Sequence, residues 1–179
     1  MFLLLEKSYW KFLFSSSNQH GIHSPFVYFL VTECFYKDSR DNYNYKKDMM
    51  GTMSVISNKH LRILNDFIDY FNVSKYTLLD KESENIEKLK NLKGCLKTDD
   101  IEKSDFVYVK GENLNEEYIK LQSRQKNNSV FVIETPYKNI KMWNALKSHT
   151  QTDIIVDTYF WGFIFKREQQ HPEEFRIRI

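Results

Sequence analysis

The sequence has few cysteines and no group of metal-binding residues at regular spacing. Its 179 residues include two cysteines, Cys34 and Cys95, which lie far apart and form no CxxC pair. Disulfide frameworks and structural zinc sites need several such residues at short spacing. The sequence therefore indicates neither, and we expect a cytoplasmic protein without a bound metal.

Long apolar runs and an excess of one charge are also missing. No stretch approaches the roughly 20 apolar residues of a membrane-spanning helix. Glu6 and Lys7 interrupt the apolar start at Met1–Leu5, and no small-residue cleavage site follows as in a secretory signal. The 26 basic and 24 acidic residues are spread along the chain and give a formal charge of +2. We therefore expect no membrane span and no nucleic-acid partner.

Aromatic residues, by contrast, are abundant. They make up 16% of the chain, beside 41% hydrophobic and 28% charged residues. This balance is typical of a globular protein with a dense core, and the length suits one ordinary domain rather than two. We expect a single domain over residues 1–179, in which a helical segment at 1–72 precedes an α/β core at 73–179.

Three amphipathic helices are predicted before the core. Phe2–Phe14 has apolar residues at helical spacing; it lacks the Lys/Arg-rich face of a membrane-surface helix, so we expect it to pack on its own domain. Ser24 and Pro25 form a strong helix start, and Ser57 begins the third helix. The polar stretch 37–53 has no period and predicts an exposed loop.

Two histidines precede the second helix. His20 and His23 could be metal ligands or a catalytic base, but no acid or cysteine lies at ligand spacing nearby. We interpret them as capping or hydrogen-bonding residues. With Ser24 they are candidate pocket residues.

From residue 76 onward, short apolar runs alternate with short amphipathic helices, which predicts a mainly parallel α/β sheet. The predicted strands are Tyr76–Asp80, Phe106–Val109, Val130–Glu134, Asp153–Tyr159 and Gly162–Lys166, with Cys95–Thr98 as a weaker candidate. The predicted helices cover about 84–92, 116–125 and 139–148.

The end of the chain predicts an antiparallel hairpin and an edge strand. No helix fits between the last two of these strands, and alternation places Phe163 and Phe165 on one face and Ile164 on the other. Phe175–Ile179 also alternates. Its two arginines, Arg176 and Arg178, could hold a phosphate, but charges that discourage sheet-to-sheet pairing are the preferred interpretation.

Two stretches carry a family resemblance. The first is HGIHSPFVY at residues 20–28, and the second is the tail from Asp157 to Ile179. With them the chain resembles bacterial class I S-adenosylmethionine-dependent methyltransferases that carry an N-terminal helical HGxHSPFVF segment. The resemblance implies a Rossmann-like, methyltransferase-type sheet of seven strands, with a glycine-rich cofactor loop after the first strand and an acid for the ribose hydroxyls ending the second.

The region implied to hold the cofactor departs from the family pattern. After Asp80 the loop reads KESEN, and no glycine occurs before Gly94, although glycine lets backbone approach such a ligand. The 24 residues numbered 81 to 104 are fewer than the roughly 30 of a βαβ unit. We expect a shortened sheet without its cofactor half, in which Asp80, Ser83 and Asn85 are the remaining candidates for cofactor binding.

The next two strand ends also depart from the pattern. Lys110, a further candidate pocket residue, precedes Gly111 where the family typically has an acid. A cation can neither coordinate a metal nor accept a proton. Glu134 replaces an acidic pair and is the candidate catalytic base. A single carboxylate opposite a lysine is more often a structural ion pair than a catalytic dyad.

The resemblance and the departures from it lead to two alternative functions, one without catalysis and one enzymatic. In the first, the chain is a degenerate methyltransferase-like protein without catalysis or cofactor, which serves as a binding or interaction module as a homodimer or with a protein partner. In the second, it is an active S-adenosylmethionine-dependent methyltransferase on a small hydroxyl or amine. Asp80 would then lie near the methionine amine, Glu134 near the acceptor, and the HGIHSPF segment would act as a lid. The departures favour the first.

Overall fold

The computed structural model of the protein describes residues 2–36, 56–80, 84–149 and 153–179. The loop predicted at 37–53 and the candidate Ser83 lie outside these ranges. The helices are α1 (Phe2–Ser15), α2 (Pro25–Leu30), α3 (Asn58–Tyr70), α4 (Glu84–Glu87), α5 (Glu116–Gln122) and α6 (Ile140–His149). The strands are β1 (Lys75–Leu78), β2 (Leu96–Lys97), β3 (Phe106–Lys110), β4 (Val130–Glu134), β5 (Ile154–Asp157), β6 (Trp161–Phe165) and β7 (Glu173–Arg176).

The N-terminal helices begin and end close to their predicted bounds. The Ser24 hydroxyl accepts the Val27 N–H at 3.5 Å and caps α2, with Pro25 in the first turn. α2 continues directly into a π-helical turn at Val31–Phe35, and Ser57 precedes α3 as predicted. Among the described residues, no helix has both the length and the apolar content needed to cross a bilayer.

The strands form one sheet in the order β2-β1-β3-β4-β6-β5-β7. β6 runs antiparallel to both of its neighbours, β4 and β5, and the other pairs are parallel. A mainly parallel α/β sheet with an antiparallel hairpin near the C-terminal end is therefore confirmed. Residues 158–160 are all that separate β5 from β6, which leaves no room for a crossover helix.

Among the described residues the sheet has one strand beyond β1, so the half that was expected to be missing is reduced to β2 rather than absent. Leu96 and Lys97 pair in parallel with Lys75 and Tyr76 of β1. The chain reaches them through α4 and a 3-10 turn at Lys90–Gly94. The weaker strand candidate is thus a strand, although it is two residues long.

Both faces of the sheet are covered. Phe163 and Phe165 pack in the same core as residues of α2 and α3 such as Leu30 and Phe67. Ile164 packs on the other face, in the core that contains residues of α5 and α6. The predicted alternation along β6 is confirmed, and the helices α2 and α3 pack on the sheet as expected.

The C-terminal strand forms a sheet edge that the N-terminal segment partly covers. Phe175 and Ile177 are buried, as the alternation predicts. Ser17 makes a parallel bridge to Ile177, because its N–H donates to the Arg176 carbonyl at 2.7 Å and its carbonyl accepts the Arg178 N–H at 3.1 Å. The Arg176 guanidinium contacts Glu174 and Ser15, so its charge is engaged within the chain.

A buried histidine in α3 makes stability depend on pH. The His60 ring stacks on Phe160 with centroids 3.8 Å apart, and its Nδ1 accepts the Ser57 backbone N–H at 3.1 Å. Burial, helped by the charge of Lys59, lowers the pKa of His60 from 6.5 to about 3. Below pH 6.5 the unfolded chain therefore binds a proton that the folded chain does not, and stability falls as the pH drops toward 3.

We expect this group to make the free energy of unfolding about 1.4 kcal/mol lower at pH 5.5 than at pH 7.5. Urea denaturation at the two pH values measures the difference. His60→Asn should lose this part of the pH response, whereas His171→Asn, at an exposed position, should keep it. An unchanged pH response in His60→Asn would contradict the assignment.

Candidate functional site

The candidate site lies where β1, β3 and β4 end. β3 and β4 are buried apolar strands that finish in the charged residues Lys110 and Glu134, and Asp80 follows β1 by two positions. Parallel strands that are buried on both faces read as apolar runs. Ligands of open α/β sheets bind outside the carboxyl ends of such strands. The structure thus brings the sequence candidates Asp80, Lys110 and Glu134 to one edge.

Asp80 is bound by the chain itself. The residue is 7% exposed. One carboxylate oxygen accepts the Lys110 backbone N–H, and the other accepts the Asn113 side-chain amide at 2.7 Å. Both oxygens therefore fasten the end of β1 to the loop after β3.

Glu134 is also enclosed, and its partners differ from the predicted one. It is 5% exposed. Its Oε1 accepts the Asn85 side-chain amide at 2.9 Å and its Oε2 accepts the Tyr108 hydroxyl. Lys110 stands opposite Glu134 in the register of β3 and β4, yet within the described ranges the two side chains make no ion pair. In place of the predicted ion pair, Glu134 accepts hydrogen bonds from two neutral groups. Asn85, a candidate for cofactor binding, is one of these donors.

The loops after β3 and β4 touch through their backbones. A Cβ placed on Gly111 would lie 2.4 Å from the Thr135 carbonyl oxygen and 2.9 Å from that of Glu134. Thr135 itself has a φ of 48°, a left-handed conformation that is uncommon for residues other than glycine. The backbones of the two loops therefore pack directly against each other at Gly111.

A further buried carboxylate, which the sequence reasoning missed, ends β5. Asp157 is fully buried and accepts the Tyr137 hydroxyl at 2.8 Å, the Trp143 indole N–H at 3.3 Å and the Tyr159 backbone N–H at 2.9 Å. Burial raises the pKa of Asp157. Burial and the nearby carboxylate raise the pKa of Tyr137. The available signal was the repeated pattern of a buried strand ending in an acid, which Glu134 shares.

α1 covers the hydrogen-bonded groups around the Asp157 carboxylate. The Tyr137 and Tyr159 rings stack with centroids 4.5 Å apart. From α1, Phe12 packs on both rings and Tyr9 meets Tyr159 edge to face at 4.9 Å. The Ser8 and Tyr159 hydroxyls are hydrogen-bonded at 2.9 Å. Aromatic side chains of α1 therefore cover the two tyrosines that lie next to Asp157.

The histidine candidates lie elsewhere. His20 and His23 are exposed, and within the part of the chain that the structure describes, no hydrogen bond or ring contact joins them or Ser24 to Asp80, Lys110 or Glu134. The backbone N–H of His20 donates to the Asn18 side chain. Ser24 caps α2 and so has the predicted capping role. A cavity of about 410 Å³ beside them is lined by Gly21, Ile22 and β7 residues such as Phe175, not by the strand-end carboxylates.

The described residues form no group of three His, Cys, Asp or Glu side chains that could hold a metal ion. They also fit S-adenosylmethionine poorly, because the carboxylate oxygens of Asp80 and Glu134 already accept hydrogen bonds from within the chain.

One exposed acid, Asp99, follows β2 by two positions. The resemblance implies an acid at the end of the second strand, so the strand that was expected to be missing does lead to a carboxylate.

In the described residues, the fold and these strand ends define an α/β protein with a seven-stranded, mostly parallel sheet, in which the strand-end carboxylates of Asp80, Glu134 and Asp157 accept hydrogen bonds from within the chain. No family model, curated protein or solved structure matches the chain.

Proposed function

We propose that this chain is a degenerate, Rossmann-like member of the class I S-adenosylmethionine-dependent methyltransferases, which acts in the cytoplasm as a binding or interaction module without catalysing methyl transfer. Its partner is a second copy of the chain or another protein. The strand order, with an antiparallel strand between β4 and β5, is compatible with the fold that the resemblance implies. The state of the strand ends supports the loss of catalysis.

The observation that carries the proposal is the pair of hydrogen bonds to Asp80. A ligand amine at this carboxylate would have to displace or share the Lys110 N–H and the Asn113 amide. Hydrogen bonds to charged groups contribute roughly 1.5 to 3 kcal/mol each, so displacing one of them weakens binding by about tenfold or more. The loop after β1 offers no glycine to compensate, because residues 81–85 all carry side chains.

We expect calorimetric titration with S-adenosylmethionine or S-adenosylhomocysteine to give no dissociation constant below about 1 mM. Asn113→Ala, which removes one donor to Asp80, should behave like the wild type, because Lys110 and the glycine-free loop remain. A low micromolar dissociation constant for the wild type would overturn the proposal. Micromolar binding by Asn113→Ala alone would show that one contact, and not the whole edge, excludes the cofactor.

Asp99 favours a second candidate, an active methyltransferase on a small hydroxyl or amine. Its carboxylate is exposed beyond β2, where the resemblance places the acid for the ribose hydroxyls. In this case Asp80 and Asp99 bind the cofactor and Glu134 is the base. The same titration decides between the two candidates: binding that is lost in both Asp80→Ala and Asp99→Asn, together with methyl transfer to a small acceptor, would establish the enzyme.

A further inference from the structure

Helix α1 presents aromatic side chains on two opposite faces. Its inner face holds Phe12, which is buried against Tyr137 and Tyr159. On the outer face Phe14 is 88% exposed and Trp10 is 54% exposed. Because the inner face packs against the rest of the protein, the Trp10 and Phe14 rings face solvent.

Two lysines accompany the outward rings. Lys7 and Lys11 are exposed, and positions 7, 10, 11 and 14 share one face of a helix because their spacing follows its turns. We call Lys7, Trp10, Lys11 and Phe14 the α1 outer face. It contains no acid, and α1 as a whole has one acid, Glu6, against the two lysines. Two lysines are fewer than the Lys/Arg-rich face of a typical membrane-surface helix carries, so the α1 outer face combines two exposed rings with a weak positive charge.

The combination of exposed rings and lysines favours an anionic lipid surface over a second copy of the chain as the partner. A second copy of the chain would bring the same surface against itself. The two copies would then place four lysines at one interface, against one acid, Glu6, on each α1. An anionic bilayer surface fits both features. Tryptophan favours the level of the lipid headgroups, a lysine can extend its ammonium to the phosphates while its stem lies in the apolar layer, and anionic lipids attract basic side chains.

We propose that the α1 outer face docks this protein on an anionic lipid bilayer, with Trp10 and Phe14 in the interfacial layer and Lys7 and Lys11 at the headgroups. The protein lies on the membrane and does not span it. Binding is reversible and sensitive to salt, because two lysines and two rings form a small anchor. The docking is independent of the proposed loss of catalysis, since the α1 outer face shares no residue with the strand ends that hold Asp80 and Glu134.

The tryptophans provide a direct probe. Trp143 and Trp161 are fully buried, so quenching of the intact chain by acrylamide reports chiefly on Trp10. We expect vesicles of phosphatidylcholine with about 30% phosphatidylserine to shift the emission to shorter wavelength, protect Trp10 from acrylamide and sediment with the protein. Pure phosphatidylcholine should do so much more weakly. Raising the salt from about 0.1 M to about 1 M, which shortens the screening length from ~10 Å to ~3 Å, should release the protein.

Matched variants distinguish binding through the α1 outer face from a general attraction of basic side chains to anionic vesicles. Each lysine of the α1 outer face is expected to contribute roughly fivefold to the partition coefficient, so Lys7→Gln with Lys11→Gln should lower it by about 25-fold. Lys93→Gln with Lys97→Gln removes the same charge from exposed positions near β2 and should change it less than about threefold. Phe14→Ala should weaken binding without altering the melting temperature, since the ring is exposed.

Several results would overturn the proposal. They are absence of sedimentation and of protection with anionic vesicles, equal losses in the two lysine pairs, and unchanged binding in Phe14→Ala. Protection of Trp10 that grows with protein concentration in the absence of vesicles would assign the α1 outer face to self-association instead.

Discussion

Replacing Phe163 with alanine is expected to lower the free energy of unfolding by about 3 to 5 kcal/mol. Phe163 is fully buried at the centre of β6, the strand that joins β4 to β5. Its ring stacks on Phe35 at 5.6 Å and on Phe67 at 5.0 Å, so the truncation leaves a cavity between the sheet and two helical segments. Closing that cavity would require the strand and both helical segments to move together, which limits relaxation.

Urea denaturation monitored by circular dichroism measures this loss. Phe14→Ala is the matched control, because it makes the same chemical change on an exposed ring and should alter stability by less than about 0.5 kcal/mol. Ile164→Ala should also be costly, by about 2 to 5 kcal/mol, since the opposite face of β6 is covered as well. A loss below about 1 kcal/mol in Phe163→Ala would contradict the packing of this ring between Phe35 and Phe67.

Adding a single methyl group at Gly111 should cost about 3 kcal/mol. The new Cβ would stand 2.4 Å from the Thr135 carbonyl oxygen and 2.9 Å from the Pro136 Cα. Both atoms belong to backbone, so no side-chain rotation relieves the contact, and the loops after β3 and β4 must separate. Overpacking typically costs about 1 to 3 kcal/mol, and a backbone obstacle places this substitution at the upper end.

Gly94→Ala is the control for this effect. A Cβ at Gly94 meets no atom within 4 Å, and neither glycine has a positive φ, so the two substitutions differ in steric contact rather than in backbone strain. Gly94→Ala should be neutral or should stabilise the protein by up to about 1 kcal/mol, because alanine restricts the unfolded chain. Equal stabilities of the two variants in urea denaturation would show that the loops after β3 and β4 are not in contact.

Local patterns predicted the elements whose signals lie within a few residues. Ser24 and Pro25 mark the start of α2 because capping is a local hydrogen bond. The hairpin was predictable because residues 158–160 are too few for a helix. β2 gave only a weak signal, since both Leu96 and Lys97 are exposed and its pairing with β1 depends on residues about twenty positions earlier.

The state of the candidate site was harder to predict, because it depends on which distant donors reach each acid. Glu134 faces Lys110 in register, so an ion pair was the simplest expectation from sequence. The fold instead brings Asn85 from α4 and Tyr108 from β3 to its two oxygens. Asp157 was missed because its burial results from Tyr137 and from the covering helix α1, neither of which is its neighbour in sequence.

The place of β6 in the sheet also sets the order in which the sheet can be completed during synthesis. Of the strands that the structure describes, β5 pairs with β6 and β7, and both follow it along the chain. When the ribosome has made β5, none of its pairing partners yet exists, and β4 still lacks its second neighbour. A nascent chain that stops in residues 158–160 therefore carries two apolar strands with open edges, Val130–Glu134 and Ile154–Asp157. Such edges are templates for aggregation, so we expect chains that stop at this point to aggregate more readily than the completed protein.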